Sequence, residues 1–341
     1  MNSLLFQMLV AAVVAGGITV LSVPLVIRLA QQFGAVRAPR ARDVHEKPMP
    51  MWGGVAMLAG FLVAVLAARL LTGTELAVSV GRGHHPILGI LLGAVFIAVV
   101  GMLDDHPKSD MSPRWQTLSI IAGALIAALC GARIEGLTNP FAPPHAAGAY
   151  NASNYIELPI WFSYFLTLAW AFLATKTFDF LDGLDGLAAG VCTITAFTMA
   201  LLAAFGGRND VAVALMAAAL AGASLGFLRY NYNPASIFMG TPGSQFLGFV
   251  LAMLAVVGTL KIPAAISLVI PLLVLGVPVF DGLYVAARRI YQKKSPTVAD
   301  KTHIHHRLRA RGLSVRQAVW AIYGLTAATC LLALFLALKA R

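Results

Sequence analysis

Charged residues are scarce in this chain of 341 residues. Asp, Glu, Lys and Arg together make up 11% of it, whereas hydrophobic residues make up 59%. A soluble domain carries roughly 25% charged residues. The shortage excludes an ordinary soluble domain and predicts an integral membrane protein that crosses the bilayer many times.

Cysteine is also rare. Cys130, Cys192 and Cys330 each fall in an apolar segment, where cysteine behaves as a small core residue. This distribution argues against a disulfide framework and against a cysteine-ligated metal site. No basic residue precedes the first apolar run, and Arg28 comes only at its end. That run is too long for a signal-peptide core, so we expect a retained first helix.

Long apolar segments fill most of the chain. Ten of them approach the length of about 20 residues that a membrane-spanning helix needs. They cover residues 4–30, 51–71, 85–103, 116–133, 158–174, 186–206, 210–228, 244–260, 263–284 and 318–338. Linkers of low complexity and clear internal repeats are both missing. The sequence therefore predicts an all-α bundle of about ten transmembrane helices, forming one polytopic domain over residues 1–341.

Acidic residues are outnumbered by basic ones, 14 against 25, and the excess is unevenly placed. Seventeen Lys and Arg residues fall in the loops after the odd-numbered segments, and seven fall on the opposite side. The positive-inside rule therefore places the odd loops in the cytosol and both termini outside. Basic loops of this kind attract anionic lipid or phosphorylated substrates. Nucleic acid is not an expected partner, because no basic groove interleaved with aromatic residues is present.

The few acidic residues gather in two of these odd loops. Asp104 and Asp105 follow the third segment, and Asp179, Asp182 and Asp185 follow the fifth. If a helix begins near the two Asp-Gly steps, Asp182 and Asp185 lie three residues apart and face one side. Such carboxylates can hold a divalent metal or take a proton. The alternative is an acidic turn that caps a helix.

Adjacent carboxylates such as Asp104 and Asp105 both stay ionised only beside a cation or a basic partner. One interpretation is a Mg²⁺ or phosphate-handling site. The other is a helix end that pairs with Lys108 or Arg114.

Polar residues also gather in the ninth loop. His303, His305, His306 and Arg307 suit contacts to phosphate or amide oxygens better than a zinc site, for which the chain offers no cysteine or second ligand pair nearby. The alternative is a basic patch on anionic lipid.

Two further loops carry weaker signals. Lys47, where the chain re-enters the membrane, suits a lipid phosphate or serves only as a topogenic charge. Gly240 and Thr241 lie in a turn before the eighth segment that presents N–H groups to phosphate, or that simply begins a helix.

Taken together, these stretches resemble the motifs of the polyprenyl-phosphate N-acetylhexosamine-1-phosphate transferases, which form glycosyltransferase family 4. They occur in that family's order, with its ten-helix spacing, over nearly the whole chain. The ninth-loop stretch is similar to the WecA/TagO branch; the related phospho-MurNAc-pentapeptide translocases usually have three histidines there. The matching stretches are residues 45–54, 104–105, 182–187, 238–240 and 303–308.

The resemblance implies a membrane transferase domain with a defined reaction. It would transfer a sugar-1-phosphate, with N-acetylglucosamine the favoured sugar, from a UDP-sugar to undecaprenyl or another polyprenyl phosphate and release UMP. This is the first membrane step of cell-envelope polysaccharide synthesis. The resemblance implies Mg²⁺, with Mn²⁺ as an alternative, and a cytosolic site in the inner membrane of the cell. A homodimer is left open.

The resemblance also assigns the polar residues to roles. The catalytic set is Asp104, Asp105, Asp182 and Asp185, with Asp104, Asp105 and Asp182 as metal ligands. Lys47, Asp179, Gly240, Thr241, His303, His305, His306 and Arg307 form the substrate-binding set.

The chain departs from the family at four positions. Thr241 stands where the family has a metal-binding Asp, Lys176 and Asp179 where it has Asn, and Gln116 where it has Lys. We expect Asp179 to supply part of the charge missing at 241. The alternatives are a different UDP-sugar and a degenerate homologue that binds lipid phosphate without turnover. A transporter is disfavoured because the charges lie at one face.

Overall fold

The computed structural model describes residues 2–37, 48–72, 85–106, 111–138, 155–206, 210–258, 264–292 and 302–339. These parts contain twelve α-helices and four short strands. The helices are α1 (Asn2–Gln32), α2 (Gly53–Thr72), α3 (Pro86–Asp104), α4 (Pro113–Leu129), α5 (Ile160–Leu181), α6 (Leu187–Phe205), α7 (Val211–Asn231), α8 (Gly240–Gly258), α9 (Ala264–Val274), α10 (Gly276–Tyr291), α11 (Ile304–Ala310) and α12 (Val315–Lys339). The strands are β1 (Val36–Arg37), β2 (Met49–Pro50), β3 (Gly136–Thr138) and β4 (Tyr155–Glu157).

The prediction of an all-α integral membrane protein is confirmed. Within the described parts of the chain, seven helices are long and apolar enough to cross a membrane: α1, α2, α3, α6, α7, α8 and α12. The predicted count of ten spans is not confirmed, because segments 116–133, 158–174 and 263–284 do not provide such a helix. The single domain over residues 1–341 stays a prediction.

The predicted ninth segment is divided in the structure. Helix α9 ends at Val274 and α10 begins at Gly276, with Leu275 between them. Pro278 has no N–H to bond the carbonyl four residues earlier, and its ring crowds that carbonyl, so a continuous helix is disfavoured here. Helix α10 carries Asp281, which contacts His303 at the start of α11.

Helix α8 forms the centre of the bundle and packs against α2, α3, α5, α6 and α7. Its side chains are almost all buried. Two glycines let backbones approach closely: an added Cβ on Gly54 would collide with the backbone of Gly243, and one on Gly101 would crowd Pro242. Small residues at helix interfaces commonly permit such contact in membrane bundles. The close packing brings the start of α2 and the end of α3 to the start of α8.

The described residues of the odd loops lie at one end of the bundle, as the sequence predicts. Strands β1 and β2 pair antiparallel, and the segment after them bonds to the loop before α8. Phe238 N–H donates to the Pro50 carbonyl at 2.9 Å, and Gly53 N–H donates to the Phe238 carbonyl at 3.0 Å. The β3–β4 hairpin joins α4 to α5 elsewhere. At this loop end of the bundle, motifs that are far apart in the sequence are therefore in contact.

Candidate active site

A cavity of about 560 Å³ opens at this loop end. Helices α3 and α5 reach it with their last turns, α8 with its first, and β1 flanks it. Four carboxylates share its wall, two at the end of α3 and two at the end of α5. The lining residues are Val36, Arg37, Met51, Asp104, Asp105, Asp179, Asp182, Gly240, Thr241 and Ser244.

Thr241 ties the adjacent pair Asp104 and Asp105 to the start of α8. Its backbone N–H donates to Asp105 Oδ2 at 3.1 Å. Its hydroxyl lies 2.9 Å from Asp105 Oδ1 and 3.1 Å from Asp104 Oδ2. A hydroxyl has one proton to donate, so the two carboxylates share it. At position 241, where the resemblance predicts an Asp, this chain therefore has a hydrogen-bond donor that holds Asp104 and Asp105.

Gly240 is required by this arrangement. Its φ of +70° lies in the left-handed region, and an added Cβ would collide with Asp105 Oδ2. Glycine adopts this conformation without penalty and leaves room for the carboxylate. Gly240 and Thr241 therefore position Asp105, alongside their predicted part in substrate binding.

A chain of hydrogen bonds joins the pair to Asp179. Gln116 Nε2 donates to Asp104 Oδ2 at 2.8 Å, and Lys176 Nζ donates to Gln116 Oε1 at 2.9 Å. Lys176 also forms an ion pair with Asp179 at 2.7 Å, within the last turns of α5. The four positions that depart from the family, 116, 176, 179 and 241, thus occupy one connected network. Helix α5 extends beyond the predicted end at 174, which places Lys176 and Asp179 on one helical face.

Both oxygens of Asp179 are engaged in this network. Oδ2 accepts from Lys176, and Oδ1 accepts from the Ser244 hydroxyl at 2.8 Å. Asp179 and Thr241 line the same cavity, as the compensation hypothesis requires. That hypothesis stays a prediction, and the Lys176 ammonium offsets part of the charge that Asp179 brings.

The cavity is electrostatically poised for a cation. Burial raises the pKa of Asp105 to about 7, against hydrogen bonds from Thr241 and with the help of the Asp104 charge. Burial also raises the pKa of Asp182 to about 7, reinforced by Asp179 and opposed by Arg37. Clustered, poorly solvated carboxylates of this kind favour a proton or a positive ligand. Arg37, which the sequence analysis counted only as a loop charge, is a cationic group on this wall.

Asp185 has a different environment from Asp182. Its Oδ2 accepts from Asn233 Nδ2 at 2.9 Å and from the Ala235 N–H at 3.1 Å, so it anchors the loop between α7 and α8. The expectation that a helix start aligns the two carboxylates is wrong, because α5 ends at Leu181 and α6 begins at Leu187. The catalytic role of Asp185 stays a prediction.

The histidine cluster packs on the other side of the Asp182-Gly183 turn. An added Cβ on Gly183 would collide with the His305 imidazole, so the two stretches touch. The His303 and His305 rings lie 5.9 Å apart, and the His305 and His306 rings 4.2 Å apart. Burial lowers the pKa of His305 to about 3, with further lowering from His306 and His303.

Two predicted site residues, Arg307 and Lys47, remain to be placed. Arg307 lies over the Tyr284 ring, 5.1 Å from its centroid, beside the histidines. Lys47 lies outside the described residues. Asp281, which the sequence analysis left inside an apolar segment, contacts His303 at 2.8 Å. The signal that could have found it is an ionisable residue in a predicted span, since such residues are costly there and usually functional.

A metal cage made of protein alone is not formed. Within the described ranges, no three His, Cys, Asp or Glu side chains converge to hold an ion. Mg²⁺ in enzymes is usually bound by one or two carboxylates together with waters and substrate phosphates. Asp104 and Asp105 supply such hard oxygen donors on the cavity wall. The donor set therefore fits an ion completed by substrate oxygens, with Asp182 nearby.

Comparisons with known proteins cover most of the chain. The family profile described as glycosyl transferase family 4 matches residues 87–259. A probable undecaprenyl-phosphate N-acetylglucosaminyl 1-phosphate transferase of Bacillus subtilis (strain 168) is 37% identical over 316 residues, covering 92% of this chain and 81% of the relative.

Two mycobacterial relatives are also similar. A decaprenyl-phosphate N-acetylglucosaminephosphotransferase of Mycolicibacterium smegmatis is 35% identical over 314 residues, covering 86% of this chain and 73% of the relative. A phospho-N-acetylmuramoyl-pentapeptide-transferase of Mycobacterium sp. (strain JLS) is 32% identical over 292 residues, covering 76% and 79%. The similarity thus extends well beyond the matched profile.

Proposed function

The chain belongs to glycosyl transferase family 4, and from this premise we propose the reaction that its cavity performs. The protein is a membrane phosphotransferase that transfers N-acetylglucosamine-1-phosphate to a polyprenyl phosphate. The observation that carries the assignment to this site is the cavity itself, which Asp104, Asp105, Asp179 and Asp182 line together with Thr241. Phosphoryl transfer depends mainly on positioning and on charge stabilisation, which such a cavity supplies.

The donor in this proposal is a UDP-sugar, and undecaprenyl phosphate is the favoured acceptor. An oxygen of the lipid phosphate attacks the β-phosphorus of the diphosphate. The bond between that phosphorus and the bridging oxygen breaks, and UMP leaves with the electron pair. The product is a polyprenyl diphosphate that carries the sugar, the starting material for a cell-envelope polysaccharide.

The side chains have distinct tasks in this proposal. Asp104 and Asp105 would hold Mg²⁺, or Mn²⁺ as an alternative, and the ion would supply positive charge where two anionic substrates meet. Arg37 faces Asp182 on the cavity wall and suits a phosphate oxygen, since a guanidinium pairs strongly with phosphate. Asp182 accepts a proton from the lipid phosphate if that group enters as a monoanion, because its raised pKa favours the protonated form.

The protein is located in a membrane, and we propose the cytoplasmic membrane with the cavity on the cytosolic face. The excess of Lys and Arg in the odd loops supports this orientation. Cysteine labelling tests it in a variant without Cys130, Cys192 and Cys330. A cysteine at Ser112 should react only from the cytosol and one at Glu157 only from outside. Reaction of both from the same side would contradict the proposed topology.

The reaction is tested by UMP release from purified protein with polyprenyl phosphate, Mg²⁺ and a panel of UDP-sugars. We expect release with UDP-N-acetylglucosamine and loss of release in EDTA. Release only with another UDP-sugar would identify a family member of different specificity. No release with any donor, combined with retained binding of polyprenyl phosphate, would identify a degenerate, binding-only homologue.

A further inference from the structure

Asp281 bridges two groups of the ninth loop from a different helix. It lies on α10, and its side chain is 9% exposed. Oδ2 lies 2.8 Å from His303 Nδ1, and Oδ1 accepts from the Ile304 N–H at 2.8 Å. His303 ends the loop before α11, and its own side chain makes no capping bond there. One carboxylate therefore fixes both the ring of His303 and the first amide of α11.

We propose that Asp281 is a positioning residue for the transferase site and acts through His303. A carboxylate oxygen at Nδ1 accepts a hydrogen bond from the ring N–H, so the proton of the neutral imidazole resides on Nδ1. His303 Nε2 is then the nitrogen left for an oxygen of the sugar diphosphate. This inference rests on the proposed function, because it assigns the histidine cluster to the same reaction.

The packing of the histidine cluster connects Asp281 to the cavity wall. His303 packs against Phe180, with ring centroids 5.4 Å apart, and stacks near-parallel to His305 at an interplanar angle of 9°. His305 in turn contacts Gly183, next to Asp182 on the cavity wall. A ring held on one side by Asp281 and on the other by these contacts has little rotational freedom. Asp281 on α10 therefore fixes His303 relative to the residues at the edge of the cavity.

The buried His305 ring adds a second observation. It is 2% exposed, and its Nδ1 has no hydrogen-bond partner within the described parts of the chain. An unpaired buried polar atom costs free energy unless a ligand or water satisfies it. The cluster therefore combines one imidazole that a carboxylate fixes with a second imidazole whose Nδ1 can still form a hydrogen bond to a polar substrate.

Asp281→Asn separates tautomer control from simple tethering. Its amide oxygen can still accept from the Ile304 N–H, while its amino group faces His303 Nδ1 and forces the ring proton to Nε2. We expect kcat/KM for UMP release to fall at least tenfold, mostly in kcat, with an unchanged unfolding midpoint. Asp281→Ala loses both contacts and should also lower the unfolding midpoint. Asp210→Asn is the matched control, because Asp210 likewise accepts from a helix-starting amide, that of Val213 at 3.2 Å.

A double variant tests whether Asp281 works through His303. In a His303→Ala background, adding Asp281→Asn should change kcat/KM by less than twofold, because residues that act as a unit are non-additive. Wild-type kcat/KM in Asp281→Asn would overturn the proposal, and so would fully additive losses.

A readout that does not depend on turnover keeps the inference separable from the proposed function. Nitrogen-15 NMR of histidine-labelled protein, assigned with His303→Gln, should place the His303 proton on Nδ1 in the wild type and on Nε2 in Asp281→Asn. The same tautomer in both proteins would overturn the inference even if the wild type is active. Absence of UMP release with a normal tautomer shift would instead refute the proposed function while leaving the tether intact.

Discussion

The acidic cavity and the histidine cluster adjoin the same Asp182-Gly183 turn, and in each a side chain of a different type holds one member of the group. In the cavity, Lys176 pairs with Asp179 at 2.7 Å. In the cluster, Asp281 pairs with His303 at 2.8 Å. Lys176 and Asp179 both lie in the last turns of α5, whereas Asp281 lies on α10 and holds His303 at the start of α11. The contact at the cavity is therefore local to one helix, whereas the contact in the cluster joins two separate parts of the chain.

The two regions differ in their openness. The cavity encloses about 560 Å³ and has two carboxylates, Asp105 and Asp182, with pKa values raised to about 7. The cluster is packed, and His305 is 2% exposed. An open, acidic wall suits a metal ion and phosphates, whereas a packed set of rings suits orientation of a substrate already bound. The comparison predicts that mutations in the cavity affect chemistry most and that mutations in the cluster affect it less.

The largest effect is expected from the cavity carboxylates. Asp105→Asn and Asp182→Asn should each lower UMP release at least a hundredfold, about 2.7 kcal/mol of transition-state stabilisation, because an amide offers no anionic oxygen. Asp210→Asn, at the start of α7, is the control and should keep wild-type activity. Near-normal turnover in either cavity variant would remove that residue from the chemistry.

The next effect concerns Asp179 and Thr241, which line one wall. Asp179→Asn should lower Mg²⁺-dependent release at least tenfold, because Lys176 loses its partner and the cavity loses a charge. Adding Thr241→Asp should recover part of that loss, as expected for groups that share a site. An inactive wild type that Thr241→Asp alone switches on would contradict compensation and favour the degenerate homologue.

A smaller effect should follow from disturbing the contact between the two regions. In Gly183→Ala the new Cβ meets the His305 imidazole, so we expect kcat/KM to fall severalfold. In a His305→Ala background the same change should cost nothing further, because the ring is gone. Gly17→Ala is the control, since an added Cβ there meets no atom within 4 Å. Equal losses in both backgrounds would show that the contact does not join the regions.

The smallest effect is on stability. The pKa of His305 is lowered to about 3 in the fold from an ordinary value of 6.5. Below pH 6.5 the unfolded chain therefore binds a proton that the folded one does not, and stability falls as the pH falls. His303, His306 and Asp281 face this ring, and the carboxylate of Asp281 opposes part of the lowering.

Between pH 6.5 and 5 this group should cost about 2 kcal/mol of unfolding free energy. The unfolding midpoint of His305→Gln should therefore depend less on pH than that of the wild type. His85→Gln, at the start of α3, should retain the wild-type dependence. Parallel pH profiles for all three proteins would mean that His305 is not held neutral by burial.

The pair Asp182 and Asp185 marks the limit of prediction from the sequence. Both occur in identical Asp-Gly steps, and both are predicted to be catalytic, with only Asp182 also predicted to bind the metal. In the structure Asp182 lines the cavity, whereas Asp185 bonds to Asn233 and Ala235. The partners of Asp185 lie about fifty residues away, so the local pattern contains no information about them.

The sequence by itself determined the membrane class, most of the helices and the end of the bundle where the predicted site residues gather. These follow from hydropathy and from the distribution of Lys and Arg, which are sums over local residues and need no contacts. The tertiary structure alone decided that Thr241 clamps Asp105, that Gln116 and Lys176 connect Asp104 to Asp179, and that Asp281 holds His303. Each of these contacts joins separate helices or loops, and hydrogen bonds depend on atomic distances that only the packing of the bundle sets.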